Sequence, residues 1–451
     1  MKTGKEVSRR DFIARGAKTA AMGAVMSSAA SGNALGANDR INVAIIGIRS
    51  RGMQQAREWV KIPGVHIATL CDPDENLFPE RVKEIEELQG KKPKTEFDLR
   101  KVYEDKNIDA VSIATCDHWH ALATIWACQA GKHVYVEKPT SHNIWEGRKM
   151  VEAARKYNRI VSTGMQNRSI MGVKKAMKFL HDSGIGDIYM ARALCFKPRN
   201  SIGKKPDAPI PKGVHYDLWL GPAPWRPFNP NRFHYNWHWF WDYGCPDIGN
   251  QGPHQMDIAR WGMKKNIYPK KVKSIGGYYA FDSDQETPNT QVALFEYDDG
   301  TYIQFDTRGL YTNDENGIRI GNLFFGSKGW MHLSGNEWHT YFGRKNEPGP
   351  SYTRENEKEE AADPNNLAGS GSYPHFVNFV DALRSNDWMK LTADILEGHK
   401  STTMIQMADI SYRVGRELTF DSHSEQFVGD EQANGYLTRN YRHPYVVPEK
   451  V

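Results

Sequence analysis

The segment Asn42 to Gly52, NVAIIGIRSRG, narrows the choice of fold more than any other stretch. A short β-branched run stops at Gly47 and passes into a helical pattern from Met53 to about Val60. A strand that turns through glycine into a helix packs that helix back on its own sheet, and the next parallel strand then follows. The pattern recurs. Val65 to Leu70 ends in Cys71-Asp72-Pro73, and Ala110 to Ala114 ends in Thr115-Cys116-Asp117-His118-Trp119-His120. His133 to Val136 ends in Glu137-Lys138-Pro139, and Arg159 to Thr163 leads into Gly164-Met165-Gln166-Asn167-Arg168. Helical patterns fill the gaps at Pro79 to Gln89, Asp98 to Tyr103, Trp119 to Ala130 and Ile144 to Tyr157. Five or six such units with short connections predict a doubly wound parallel sheet, an α/β fold of Rossmann type.

Backbone N–H groups at a helix start carry partial positive charge, so Gly47 to Gly52 predicts a pyrophosphate cradle. Gly47 and Gly52 take the first and last places of GxGxxG, while Arg49 takes the middle one. A glycine there lets the backbone approach the pyrophosphate closely. The cradle is therefore either looser or closed by an Arg49–phosphate contact, with Ser50 and Arg51 completing the loop. Asp72 lies at the end of the next strand, where a carboxylate suits ribose hydroxyls and repels a 2′-phosphate. That favours NAD over NADP. At the following strand end, Thr115, His118 and His120 are expected near the cofactor, with one imidazole bordering the nicotinamide. A metal is not expected, because i and i+2 side chains on a helix do not face one ion and no third ligand is evident. Each motif also has an ordinary reading, as a strand–helix turn or a capping aspartate.

Ligands of open α/β sheets sit outside the carboxyl ends of the strands. Lys138 is therefore placed to reach both ligands, beside Glu137. Pro139 stops the strand, and a Lys-Pro bond is open to the cis form. Alone, the tripeptide is an ordinary surface turn.

Met171 to Asp182 is an amphipathic helix, and from Ile188 onward the period changes to two. Strands are expected at Tyr189 to Phe196, Val272 to Phe281, Gln291 to Tyr297, Tyr302 to Thr307, Ile318 to Phe325 and Gly329 to Leu333, with a hairpin at Asp298-Asp299-Gly300. They predict a second, α+β domain with a large, mostly antiparallel open sheet. Arg344 to Ser372 reads as a long, polar, mobile loop. The proline-rich loop from Lys197 to Pro211 precedes Tyr216 to Tyr243, which holds Trp219, Trp225, Trp237, Trp239 and Trp241. Aromatic faces stack on the C–H faces of sugar rings, or they clamp a long loop to a sheet. After them, Asn250 and His254 stand four apart and share a face if the helix has begun by Asn250. Histidine is a natural proton shuttle. Arg168, Trp237, Trp239 and Asp247 are the remaining candidates on the substrate side.

Ser8-Arg9-Arg10-Asp11-Phe12-Ile13, followed by an Ala-rich run from Ala20 to Ala30, matches a twin-arginine export signal rather than a membrane span. Residues 1–37 hold six basic and two acidic side chains, so their removal takes the formal charge from +5 to +1. A nearly neutral chain gives no support for nucleic-acid binding. Five scattered cysteines show no metal spacing and read as small apolar residues.

Taken in this order, the chain resembles the Gfo/Idh/MocA family of glucose–fructose oxidoreductase, inositol dehydrogenase and their relatives. VAIIGIRSRG, Cys71-Asp72, Glu137-Lys138-Pro139 and Gly252-Pro253-His254-Gln255-Met256-Asp257 carry the resemblance. His375-Phe376, Glu397-Gly398-His399 and Gly429-Asp430-Glu431 resemble its exported bacterial branch. The resemblance implies that Lys138 contacts nicotinamide and substrate, that His254 is the acid/base, and that chains pair through the open sheet. Two departures stand out: Arg49, and Asn250 in place of the family's acid, for which Asp247 is one possible substitute. The expected organisation is a signal at 1–37, a dinucleotide domain at 38–165 and a substrate and oligomerisation domain at 166–451. Three functions fit: a periplasmic or secreted NAD-dependent oxidoreductase on a carbohydrate, a redox-neutral NAD-dependent glycosidase or lyase working through a 3-keto intermediate, and a carbohydrate-binding protein without chemistry.

Overall fold

In a computed structural model, residues 40–353, 355–356 and 372–451 are described. The twin-arginine motif, its Ala-rich run and most of the polar segment after Tyr352 lie outside them. The described residues from Asn42 to Val451 belong to one compact unit.

The expected βα alternation forms a six-stranded sheet. Its strands are β1 (Ile41–Ile46), β2 (Val65–Cys71), β3 (Lys94–Glu96), β4 (Ala110–Ile113), β5 (His133–Val136) and β6 (Val161–Thr163), in the order β3-β2-β1-β4-β5-β6. Between them run α1 (Arg51–Trp59), α2 (Phe78–Gln89), α3 (Leu99–Glu104), α4 (Asp117–Gln129) and α5 (Ile144–Lys156). Every residue of β4 and β6 is buried, as strands covered on both faces require. The chain winds outward from β1 in both directions, which makes a crevice between β1 and β4. Gly47, Asp72, Thr115 and Glu137-Lys138 all follow strand ends there. Lys138–Pro139 is cis.

After α6 (Met171–His181) the second sheet begins with β7 (Ile188–Phe196). It continues after α7 (Gly252–Gly262) with β8 (Lys271–Gly277), β9 (Thr290–Glu296), β10 (Tyr302–Arg308), β11 (Ile320–Gly326), β12 (Gly329–Ser334), β13 (Glu337–Phe342) and β14 (Glu347–Tyr352). β15 (Leu418–Asp421) and β16 (Gln426–Phe427) close the ten-stranded order β14-β13-β12-β11-β7-β10-β9-β8-β15-β16. Its pairings are antiparallel except for β10 with β7. A boundary near residue 165 falls between the sheets, and we propose it as the division of labour within the one compact unit.

One expected loop departs from the sequence reading. Part of the expected polar loop is the edge strand β14, whose Pro348 and Pro350 are tolerated because it pairs with β13 alone. The tail forms α8 (Tyr373–Ser385) and the 20-residue α9 (Ile395–Val414). Apolar residues of α7 and α9, among them Met256, Met404 and Ile405, share one core with Ala193, Phe295 and Phe305 of the sheet. Fourteen of the α9 residues are buried, polar ones such as Thr402, Gln406 and Asp409 among them, so its burial does not follow an apolar period. All five cysteines are free, and four of them are buried.

Candidate active site

Gly47 turns through a left-handed φ of +86°, and its N–H donates to Cys71 O at 2.8 Å, tying the loop to β2. A Cβ at Gly47 would stand 2.6 Å from Ala114 O, and one at Gly52 would stand 1.8 Å from Gly47 O. Both glycines are thus demanded by close backbone approach, as a strand-to-helix phosphate turn requires. Ser50 precedes α1 without capping it through its side chain, and Arg49 is exposed.

A cavity of about 260 Å³ opens on this turn. Gly47, Arg49, Ser50, Arg51 and Asp72 line it together with Lys138, Asn250 and Trp237. Asp72 accepts the N–H groups of Ile48 (2.9 Å) and Asp74 (3.0 Å), while burial pushes its carboxyl up to about 6. A carboxylate oxygen has two lone pairs, so both oxygens keep a place for a ribose hydroxyl.

Glu137 is the anchor of the strand end. It accepts from Arg51 Nε at 2.6 Å and Gln55 Nε2 at 2.7 Å. Burial alone would raise its pKa, but the charges of Arg51 and Lys138 hold it down at about 2. An ionised Glu137 fixes the backbone from which Lys138 projects. Lys138 Nζ donates to the main-chain O of Asn250 at 2.6 Å, joining the first sheet's strand end to the segment before α7.

The structure sorts the remaining candidates. Thr115 and His120 line the cavity, whereas His118 does not. The His118 ring is buried between Trp219 O (3.0 Å) and Tyr243 O (3.3 Å). Burial lowers the His120 pKa. Its ring contacts Pro139 O through Nδ1 at 2.7 Å and Thr115 O through Nε2 at 3.3 Å. Asn250 ends a single turn, Asp247–Asn250, and His254 stands in α7 beyond Gln251, which itself keeps helical angles (φ −92°, ψ −35°). Asn250 lines the cavity and His254 does not. Burial and the charge of Lys138 lower the His254 pKa to about 3, and its buried Nδ1 has no partner among the described residues. Asp247 is held by Arg199 at 2.6 and 3.1 Å and does not line the cavity. Arg168 is likewise taken up by Asp257, at 2.7 and 2.9 Å, and by Glu397 at 3.1 Å.

Most of the aromatic segment packs on itself. Tyr216, Trp219, Phe228, Trp239 and Phe240 form a buried cluster with Trp237 and Tyr243. Trp219, Tyr235, Trp237 and His238 also reach the cavity wall, whereas Trp239 does not. The sequence reading missed Asp117 as a wall residue. Burial pushes its carboxyl up to about 8, and Oδ2 accepts from the Cys245 thiol at 3.3 Å. Its signal was present, since it follows the end of β4 as Asp72 follows β2. Phe97 and His234 come from loops with no comparable mark. Among the described residues no cluster of metal-ligand type occurs.

A strand-end cavity lined by a glycine turn, a ribose-type acid and a lysine defines a dinucleotide-dependent oxidoreductase class. Residues 41–165 match the model of an oxidoreductase family's NAD-binding Rossmann fold, and residues 199–322 and 366–447 match its C-terminal alpha/beta domain. The chain belongs to this Gfo/Idh/MocA oxidoreductase family and carries its NAD-binding domain. A glycosyl hydrolase family 109 protein from Bacteroides thetaiotaomicron is 33% identical over 126 residues, 26% of this chain and 26% of that protein. Myo-inositol 2-dehydrogenase from Thermotoga maritima is 28% identical over 152 residues, 34% of this chain and 44% of that protein. The chain thus spans less than half the length of either relative. The WlbA dehydrogenase from Chromobacterium violaceum, solved with NADH and UDP-GlcNAcA, superposes with a TM-score of 0.64 at 20% identity, covering 85% of this chain and 96% of that one. At that identity the likeness is one of fold.

Proposed function

We propose that this chain is an exported NAD-dependent oxidoreductase acting on a sugar, sugar derivative or glycoside, with a dinucleotide that stays bound and is recycled. The observation that carries this reading is the cavity shared by the Gly47 turn, Asp72, Lys138, Asn250 and Trp237. NAD, when bound, supplies a hydride acceptor or donor. The N–H groups of the Gly47 to Gly52 turn hold phosphate, and Asp72 accepts from ribose. An ammonium has three donors, and Lys138 uses one on Asn250 O, leaving two to orient a substrate hydroxyl. In this reading His254, assisted by Lys138, takes or returns the hydroxyl proton, which requires its pKa, lowered to about 3 by burial and by the Lys138 charge, to rise once substrate and cofactor are bound. The Trp237 ring offers an apolar face to the sugar.

The redox-neutral glycosidase or lyase is the second reading, supported by the local likeness to glycosyl hydrolase family 109 and by Asp117. Oxidation beside a ring C–H acidifies it, and elimination then requires an acid for the leaving oxygen. A wall carboxyl raised to about 8 keeps its proton at neutral pH and meets that need. Net NADH separates the two, since elimination frees a sugar without any second redox substrate. A binding protein without chemistry would purify without dinucleotide. The deciding experiment is mass spectrometry of small molecules released by denaturing natively exported protein. NAD is expected. No dinucleotide would end both enzymatic readings, and NADP would overturn the role of Asp72. Recovery of the chain from the periplasm or medium, and its loss there on Arg9→Lys with Arg10→Lys, tests export.

A further inference from the structure

A second cavity, of about 510 Å³, shares only Asp117 with the first. Its volume falls within the roughly 300–1,000 Å³ of small-molecule sites. Thr402, Gln406, Asp409 and Arg413 of α9 form one side, at the spacing of a single helix face. Ser141 to Asn143, the segment Trp241 to Cys245 and the tail from Gly435 to Asn440 supply the others.

The polar groups in this wall are unevenly satisfied. Gln406 donates Nε2 to Ser141 O at 2.8 Å, but its buried Oε1 has no partner among the described residues. Asn143 Oδ1 accepts from Glu146 N at 2.9 Å, while the buried Nδ2 is left over. His142 contacts Trp241 O through Nε2 at 2.9 Å, and Nδ1 is left over. Asn143 and Gln406 are 6% and 9% exposed. Native structures rarely leave such atoms unmatched without a ligand or water to meet them.

Charge narrows the class of ligand. The Arg413 guanidinium lies over the Trp241 and Tyr436 rings, 4.9 and 4.0 Å from their centroids. Arg439 donates to Asp242 O at 2.9 Å and stands 3.5 Å from the Glu146 carboxylate. Asp242 is itself paired with Arg226 at 3.0 Å. Asp117 and Asp409 are buried with neutral donors, the Cys245 thiol and the Gln291 amide, each at 3.3 Å. An anion would meet two buried carboxyl groups beside Arg413, which lies against two rings, and Arg439, whose Nε has no hydrogen-bond partner among the described residues. Hydroxyls would find carboxyl, amide and imidazole partners, with Trp241, Tyr436 and Ile405 offering apolar faces.

We propose that this cavity is a second binding site, for a neutral hydroxyl-rich ligand of sugar type, distinct from the cofactor cavity. It does not depend on the reaction proposed above.

Peptide-level hydrogen exchange on the NAD-loaded full chain tests it, using D-glucose, D-galactose, N-acetyl-D-glucosamine and myo-inositol in turn. At least one should slow exchange across residues 402–413 and 435–440. Gln406→Leu and Trp241→Leu should each weaken that protection about tenfold in apparent affinity, one hydrogen bond or one stacking face. Both variants should keep NAD and the parent's exchange across residues 47–52. Protection by none of the four, protection undiminished in both variants, or protection by inorganic phosphate or ethanolamine instead would each overturn the proposal.

Discussion

Lys138 ends a chain of buried contacts that runs from Arg51 through Glu137 to the carbonyl of Asn250. Its charge bears on Glu137, Asp117 and His254 alike. Lys138→Ala is expected to lower turnover by about 10²- to 10⁴-fold while NAD retention stays near the parent's. Parent-like activity in a steady-state assay would remove Lys138 from the mechanism. A different kind of carboxyl sits on α9. Burial raises Asp409 to about 7, against an ordinary 3.8. Between those values the folded chain holds a proton that the unfolded chain releases, so stability falls as pH rises through the window. Asp117 acts with the same sign up to about 8. Glu137, held at about 2, acts with the opposite sign and loses its contribution as pH falls through that value. Asp409→Asn should therefore lose less thermal stability than the parent between pH 4 and pH 7.5. Parallel profiles of unfolding midpoint against pH would contradict the burial argument.

At the scale of elements, α7 and α9 meet through a buried ionic cluster. Arg168, just before α6, grips Asp257 of α7 and Glu397 of α9, and Arg260 of α7 also pairs with Glu397. Asp257 is 1% exposed, so removing Arg168 leaves a carboxylate that water cannot reach. Arg168→Leu should destabilise the chain by about 3 kcal/mol, measured by urea unfolding, with sugar KM unchanged in the fraction that folds. A raised KM without lost stability would restore Arg168 to the substrate side. Asn250 and His254 belong to this scale as well: they stand four apart across Gln251, and the first lines the cavity while the second is buried and does not. Spacing alone could not show which of the two the cavity reaches.

At the scale of the molecule, the ten-stranded sheet packs helices on one face and leaves apolar residues on the other. Ile275 of β8 and Leu294 of β9 are 63% and 45% exposed, and Leu294 stands opposite Lys273 in the register. Chains pairing through this face would cover them, which extends the proposal to a homo-oligomer. Light scattering should then report a mass above the 51.4 kDa of the full chain or its processed form, and Leu294→Glu should shift it toward the monomer. A parent that runs as a monomer at micromolar concentration would remove this part of the proposal.

Local pattern determined a good deal. The parallel strands, the turn at Gly47, Asp72 and Lys138 were legible because each depends on a few neighbouring residues: a β-branched run, the turn after it and the helix beyond. The hairpin at Gly300, with its φ of +77°, was legible for the same reason. Tertiary structure alone decided what lies between segments distant in the chain. It buried polar as well as apolar residues of α9 and so hid its period, and it used β14 as an edge where its prolines cost little. It turned His118 away from the cofactor cavity and enlisted Arg168 and Asp247 in ion pairs. The second cavity is the extreme case, since its walls come from six separate stretches between residues 117 and 440. Each stretch alone is an ordinary polar loop or a buried helix. Their unmatched atoms become visible only when the walls stand together, because whether a polar group lacks a partner depends on everything folded around it.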